Sequence, residues 1–452
     1  MKHESGSFQL SRLSRRDFVK TSSLTAGGLI LGALPVTSSA YAAGTDTLKV
    51  ALIGCGSRGT GAAANCLSSN EGVTLVAMAD ILQDQMDESY RILSERYAGT
   101  DKVDVPQERR FVGFDSYKSA IQLADVVLLT TPTFFRPLHF EEAVSQGKHI
   151  FMEKPVAVDP AGVRRVMEAA KSAREQRLNV VVGLQRRYHR PYRELYRRLQ
   201  EGEIGEIISG QLYWNQGPFF IRPRQPEWSE LEHQIRNHFH FIWQAGDQVL
   251  DQMIHNIDVA NWYLGEHPVT AQGMGGREVR TGKEYGQIFD HNFIEYTYPS
   301  GAVISAQCRQ IPGCYNIVTE RFNGAKGFLS TGGPDGPTIR NRSQQEIYRY
   351  ESDNDPSPYD QEHIELIASI RAGEVIDDTD SGAKSTMAAI MGFMATYSGQ
   401  FLEWDQALNS DRRFHPHHDL LPEDVSWDTP APVQLDENDY YPIPVPGVTQ
   451  VV

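Results

Sequence analysis

A short apolar strand at residues 48–53, Leu48-Lys49-Val50-Ala51-Leu52-Ile53, runs directly into Gly54-Cys55-Gly56-Ser57-Arg58-Gly59, and a helical pattern follows to about Leu67. Glycine triplets are common in loops, but strand, glycine loop and helix in immediate succession form a pyrophosphate cradle. Gly54 permits the tight turn, Gly56 lets the backbone approach the pyrophosphate, and Gly59 allows close packing of helix on sheet. Ser57 and Arg58 sit inside that cradle, where the helix N-terminus offers free N–H groups and partial positive charge. The second strand, residues 74–79, ends in Asp80, 21 positions beyond Gly59. A carboxylate there accepts hydrogen bonds from ribose hydroxyls and repels a 2′-phosphate. NAD is therefore expected over NADP, with Arg58 the one residue that could hold a phosphate instead.

Strand-like runs at 125–129, 149–152 and 179–182 alternate with helical patterns at 138–146 and 161–175. Nearly continuous apolar strands between amphipathic helices predict an α/β Rossmann domain, a doubly wound parallel sheet, over residues 46–183. The pattern changes after Arg190. Residues 206–215 alternate and end in aromatics, and 293–298 and 302–309 flank Pro299-Ser300-Gly301 as a hairpin would. Helices are expected at 248–263, entered from Ala245-Gly246-Asp247, and at 383–399. Residues 184–408 thus read as an α+β domain with a large, mostly antiparallel open sheet. The tail, 409–452, is rich in Pro, Asp and His and is expected to wrap the surface.

Ahead of the first domain, Ser14-Arg15-Arg16-Asp17-Phe18-Val19-Lys20 precedes an apolar stretch around 24–34, and Ala40-Tyr41-Ala42 offers a small-x-small cleavage site. Residues 1–42 read as a twin-arginine signal that exports folded cargo to the periplasm, the alternative being an uncleaved anchor. No later run offers about 18 uninterrupted apolar residues, so no membrane partner is expected after cleavage. The chain carries −15, and residues 1–42 hold five Lys/Arg against two Asp/Glu, which leaves −18 on the remaining 410 residues. That balance disfavours nucleic acid and anionic membrane surfaces. Four cysteines do not make a disulfide scaffold; Cys55 and Cys66 read as packing residues, and Cys308 with Cys314 could pair across a turn.

Glu153-Lys154-Pro155 follows the strand at 149–152, at the carboxyl edge where doubly wound sheets bind ligands. With Gly54–Gly59, Thr131-Pro132, Gly147-Lys148-His149 and the stretch from Gly246 to Asp258 holding Asp251 and His255, it makes the chain resemble the glucose–fructose oxidoreductase, inositol dehydrogenase and rhizopine-catabolism (Gfo/Idh/MocA) family over about residues 48–402. The resemblance implies that Lys154, Asp251 and His255 surround the reacting carbinol beside the nicotinamide. It also implies cofactor contacts from Thr131, Pro132, Glu153, Lys154 and Arg186. The chemistry of the residues agrees. Hydride leaves an alcohol more easily as the hydroxyl proton departs, which requires a base within hydrogen-bond reach. Asp251 and His255, four apart, share one face of an α-helix, so Asp251 would orient His255, His255 would exchange the proton, and Lys154 would polarise the oxygen. Packing of His255, or a Lys154–Glu153 salt bridge, is the bland alternative. The chain departs from the family at Thr133-Phe134-Phe135-Arg136, where many relatives carry Asn/Asp and histidines, so contacts there are not carried over.

The segment from Trp214 to Trp228, with Phe219, Phe220, Arg222 and Arg224, is either an aromatic and cationic sugar platform or a loop or subunit contact. His233, His238 and His240 lack a Cys or carboxylate shell, so no metal site is expected. The expected activity is a periplasmic NAD-dependent oxidoreductase on a sugar, polyol or glycoside, with a tightly retained cofactor recycled by a second substrate. The alternative is an NAD-dependent glycoside hydrolase or lyase that oxidises its substrate transiently. A non-catalytic sugar-binding protein is a third reading. The open second sheet, a common oligomer face in the family, implies a homodimer or homotetramer.

Overall fold

Apolar side chains on both faces force five of the first six strands between layers of helices. The computed structural model describes residues 47–414 and 422–450, so the signal expected at 1–42 lies outside the described residues. The elements run β1 (Leu48–Ile53), α1 (Ser57–Ser69), β2 (Val73–Asp80), α2 (Gln83–Arg96), β3 (Arg110–Val112), α3 (Ser116–Gln122), β4 (Val126–Leu129), α4 (Arg136–Ser145), β5 (His149–Met152), α5 (Pro160–Glu175) and β6 (Val180–Val182). The sheet order is β3-β2-β1-β4-β5-β6, and every neighbouring pair is parallel. The order reverses between β1 and β4, which opens a ligand crevice at the carboxyl ends of those strands. All five strands expected from the apolar runs are present. β3 has three residues, none of them buried, and so carries no apolar signal.

The second half continues with α6 (Arg190–Gln200), β7 (Ile207–Gln216), α7 (Glu230–Arg236), α8 (Ile242–Ala245), α9 (Ile254–Leu264), β8 (Thr270–Gly276), β9 (His291–Thr297), β10 (Val303–Gln310), β11 (Ile317–Gly324), β12 (Gly327–Thr331), β13 (Pro337–Asn341) and β14 (Glu346–Arg349), then α10 (Pro358–Ala372), α11 (Thr379–Ser398), β15 (Leu402–Glu403) and α12 (Trp404–Leu408). Nine strands form a sheet in the order β14-β13-β12-β11-β7-β10-β9-β8-β15. It is antiparallel except where β7 and β10 run parallel; β9 and β10 are the expected hairpin. The helix expected at 248–263 is split: Val249–Met253 is a π-helical turn, and α-helix begins at Ile254.

α11 is buried along nearly its whole length and packs on both α5 and β8, so one apolar core runs through both sheets. Among the described residues no helix is long and apolar enough to cross a membrane. Cys308 is buried and Cys314 exposed, both as free thiols, so the pairing considered from sequence is not made. Residues 422–450 contain no strand or α-helix. They lie against the α7–α8 region, where Ala431 and Tyr441 are buried with Leu231, Ile235, Phe241 and Trp243.

Candidate active site

A cleft of about 490 Å³ runs along the carboxyl edge of the first sheet, lined at one end by Gly54, Gly56, Ser57, Arg58, Gly59 and Asp80. Gly54 adopts φ +96°, and a Cβ there would stand 2.6 Å from the Thr131 amide nitrogen. On Gly59 a Cβ would meet the Gly54 carbonyl oxygen at 1.9 Å, whereas on Gly56 it would meet nothing nearer than 3.8 Å. Two glycines are thus demanded by the protein's own packing, and the third leaves backbone open for a ligand. Gly56 caps α1 without a side-chain hydrogen bond, and no acid occupies the first turn, so the helix N-terminus keeps its free donors for an anion. Arg58 donates from Nε to Glu153 Oε1 at 2.6 Å, while its buried Nη2 has no hydrogen-bond partner among the described residues. The donor set therefore fits a dinucleotide pyrophosphate.

Asp80 stands at the end of β2, beside the glycine loop. Its Oδ2 accepts from the Cys55 amide at 2.5 Å and its Oδ1 from the Leu82 amide at 2.8 Å, which aims the carboxylate across the tip of the glycine loop. Burial pushes its pKa up to about 6 against the pull of those amides.

The other end of the cleft holds Lys154, Asp251 and His255, with Thr131, Pro132 and Glu153 between the two ends. Lys154 comes from the turn after β5, where its peptide bond to Pro155 is cis. Its Nζ stands 3.6 Å from Asp251 Oδ1 and donates to the Asp251 carbonyl. The salt bridge to Glu153 considered from sequence is not made, because Glu153 is engaged by Arg58. His255 stacks on Trp214, with ring centroids 5.7 Å apart, and its buried Nδ1 lacks a hydrogen-bond partner among the described residues. Burial, then the charges of Lys154 and Arg186, hold its pKa well below the usual histidine range; the imidazole is neutral at pH 7.

Two expectations need correcting. Asp251 does not hydrogen-bond His255: it faces Lys154, because the π-helical turn at Val249–Met253 breaks the i,i+4 alignment that an unbroken α-helix would supply. Arg186 does not line the cleft. Its guanidinium pairs with the fully buried Glu320 and lies over the Trp214 and Tyr192 rings, behind the cleft wall. The neighbouring Gln185 lines the cleft instead.

Trp214, Phe219, Phe220 and Arg222 line the wall beyond His255. Arg224 and Trp228 turn away, Arg224 to Glu230 and Trp228 to Arg236 and His233. Arg136, on the stretch that departs from the family pattern, and His139, beyond it on α4, also line the cleft. Arg136 donates to the carbonyls of Leu129 and Thr131, and burial lowers its pKa to about 10. Reading from the sequence missed the part played by α7, whose Arg236 reaches the cleft and pairs with Asp84 of α2 at 2.9 Å. A seven-residue helix carrying three charges gives no periodic signal of such a contact.

Comparison with known proteins gives two family matches. Residues 48–183 match the oxidoreductase family with an NAD-binding Rossmann fold named GFO/IDH/MocA, and residues 192–329 match the GFO/IDH/MocA C-terminal domain. An inositol 2-dehydrogenase of Serratia proteamaculans is 26% identical over 266 residues, covering 58% of this chain and 67% of its own. A 2,7-anhydro-N-acetylneuraminate hydratase of Escherichia coli is 24% identical over 211 residues, 46% of this chain and 51% of its own. The matched stretches thus span about half to two thirds of these relatives. The crystal structure of an aldose–aldose oxidoreductase from Caulobacter crescentus in complex with glycerol shares the fold at 18% identity, with a TM-score of 0.62 over 79% of this chain and 99% of its own.

Proposed function

The chain belongs to the GFO/IDH/MocA family of NAD-dependent oxidoreductases acting on CH–OH groups, and we propose that its substrate is a sugar, polyol or glycoside, processed in the periplasm on a tightly retained cofactor. The observation that carries this reading is the convergence of Lys154, Asp251 and His255 at one end of a cleft whose other end is the Gly54–Gly59 cradle. NAD, when bound, supplies the acceptor for a hydride from the carbinol carbon. Gly54, Gly56, Gly59, Ser57 and Arg58 hold its pyrophosphate, and Asp80 its adenosine ribose. Lys154 donates to the carbinol oxygen and offsets the negative charge that grows there. The neutral His255 imidazole accepts the hydroxyl proton, and the nearby Asp251 carboxylate keeps two cations from standing uncompensated in a buried site.

Retention is supported by the contacts beside the Asp80 end of the cleft. Arg236 of α7 lines the cleft and pairs with Asp84 of α2, and the C-terminal segment packs Tyr441 and Ala431 onto that helix and its neighbours. Twin-arginine export of folded cargo would carry the loaded protein past the loss of a soluble nucleotide pool. The test is to denature the purified mature protein and identify the nucleotide released; none released counts against retention.

A second reading is favoured by the similarity to a hydratase: transient oxidation, elimination from the acidified neighbouring carbon, and return of the hydride. Aryl glycosides separate the two. Release of the aglycone without net NADH points to the second reading, and stoichiometric reduction without release to the first.

A further inference from the structure

Beyond His255 the cleft has an outer wall that the proposed chemistry leaves unused. The chain between β7 and α7 carries Phe219, Phe220 and Arg222 into the cleft, and its backbone is pinned. Arg222 N donates to Asn237 Oδ1 at 2.8 Å, and Asn237 Nδ2 donates back to the Arg222 carbonyl at 3.1 Å. Asn237 is itself 3% exposed. His240 Nε2 lies 3.1 Å from the Phe220 carbonyl, and Phe219 stacks on Phe239 with centroids 4.4 Å apart. A loop held this way loses little freedom when a ligand arrives.

The other cations of the cleft are occupied. Arg58 pairs with Glu153, Lys154 with Asp251, Arg236 with Asp84 and Glu232, and Arg136 is bound to two carbonyls. Arg222 has no carboxylate within ion-pair distance among the described residues; its guanidinium lies 5.2 Å from the Phe220 ring centroid. It stands close to the chemistry as well. The imidazole of His238, half-buried on the same wall, is lowered to about 4 by desolvation first; it feels the Asp251 carboxylate in one direction and the Arg222 charge in the other. One ring therefore lies within electrostatic reach of both.

From this arrangement we infer that the substrate is a sugar acid, its ring or chain lying on Phe219 and Phe220 and its carboxylate gripped by Arg222. This rests on the carbohydrate chemistry proposed above for the same cleft. A guanidinium fork matches the two oxygens of a carboxylate, and a single free cation suits a monoanion better than a phosphate. The acidity of the whole chain does not oppose this, because charges more than about 8–10 Å away are screened at physiological salt.

The experiment is calorimetric binding of paired ligands, glucuronate against glucose and galacturonate against galactose, to the NADH-loaded full-length mature protein, with turnover followed on the same pairs. The expected result is at least tenfold tighter binding of one acid than of its neutral partner. That preference should weaken with added salt, collapse in Arg222→Gln and return in part in Arg222→Lys. Arg222 is exposed, so these variants fold. Equal binding within each pair, no binding of either acid, or a preference that survives Arg222→Gln overturns the inference. Neutral sugars turned over without an acid preference would leave the oxidoreductase reading standing alone. Arg222-dependent binding of an acid with no turnover of any sugar would support the inference and count against that reading.

Discussion

Lys154 and Asp251 meet across the two halves of the protein in an ion pair, with Nζ 3.6 Å from Oδ1, and the same ammonium donates a hydrogen bond to the Asp251 carbonyl. Neither side chain is more than 18% exposed. Removing the carboxylate leaves the ammonium beside a histidine that must take up a proton, so Asp251→Asn is expected to lower kcat by about 10²–10⁴-fold, as His255→Ala does through loss of the base. Neither residue touches the glycine cradle, so NAD affinity should stay within a few-fold. Steady-state kinetics alongside nucleotide titration checks both; unchanged kcat in either variant removes that residue from the chemistry.

The pH profile should show the influence of Lys154 on His255. The folded histidine is held below its ordinary value of about 6.5 by burial first and by the Lys154 charge second. It therefore gains its proton only as pH falls well below 6.5, and the acid limb of kcat/KM that it sets lies there. Lys154→Met removes one lowering influence, so the surviving activity should lose its acid limb at a higher pH than the wild type. An acid limb that stays in place would assign it to another group.

The first sheet was legible because its strands carry long apolar runs on both faces, and the cradle because Gly54 and Gly59 are required by packing alone. The meeting of Lys154 with Asp251 was not legible. Spacing of four implies an α-helical alignment of Asp251 with His255, and nothing local announces the π-helical turn that undoes it. Arg186 misled for a related reason: Arg186 and Arg187 are adjacent, and only the fold shows that each is consumed by a buried acid, Glu320 and Asp258 respectively. Contacts made by α7 and the tail depend on chain brought together from about 200 residues away, where sequence pattern carries no information.

Asp80 should make cofactor binding sensitive to acid. Burial raises its pKa to about 6, and only the ionised carboxylate accepts from both ribose hydroxyls. Binding that prefers the ionised form is lost as pH falls through the free-state value. NAD affinity is thus expected to be level above pH 7 and to weaken about tenfold per pH unit below 6. Fluorescence titration with NADH between pH 5 and 8 tests this. Asp80→Asn should bind more weakly and without that dependence; a parallel decline in the variant would place the titrating group elsewhere.

Arg187 and Asp258 form a bidentate pair, with Nη2 2.8 Å and Nε 2.9 Å from the carboxylate, and Ser385 adds a third donor at 2.7 Å. Asp258 lies three residues beyond His255 on α9, so the pair fixes the helix that presents the imidazole. Breaking a buried pair by removing one partner costs about 3–5 kcal/mol. Arg187→Met should lower the melting temperature markedly and reduce kcat more than it raises KM, since His255 would be displaced. Full activity in a folded but less stable variant would make the pair purely structural.

Cofactor retention should depend on the C-terminal segment more than on the ion pair beneath it. Arg236 and Asp84 are 13% and 56% exposed, and a pair so open to solvent contributes about 0–1 kcal/mol. Tyr441 is 3% exposed, packs edge-on against Phe241, donates to Glu230 and accepts from Arg224. Losing a buried aromatic ring with its hydrogen bonds costs about 3–5 kcal/mol, enough to free α7 from the Asp80 end of the cleft. Tyr441→Ala is therefore expected to speed the release of bound nucleotide by tenfold or more, and Asp84→Ala by no more than a few-fold, as followed by the loss of NADH fluorescence under dialysis with excess unlabelled NAD. Equal release from the wild type and Tyr441→Ala would mean that the tail covers the cleft without holding its contents.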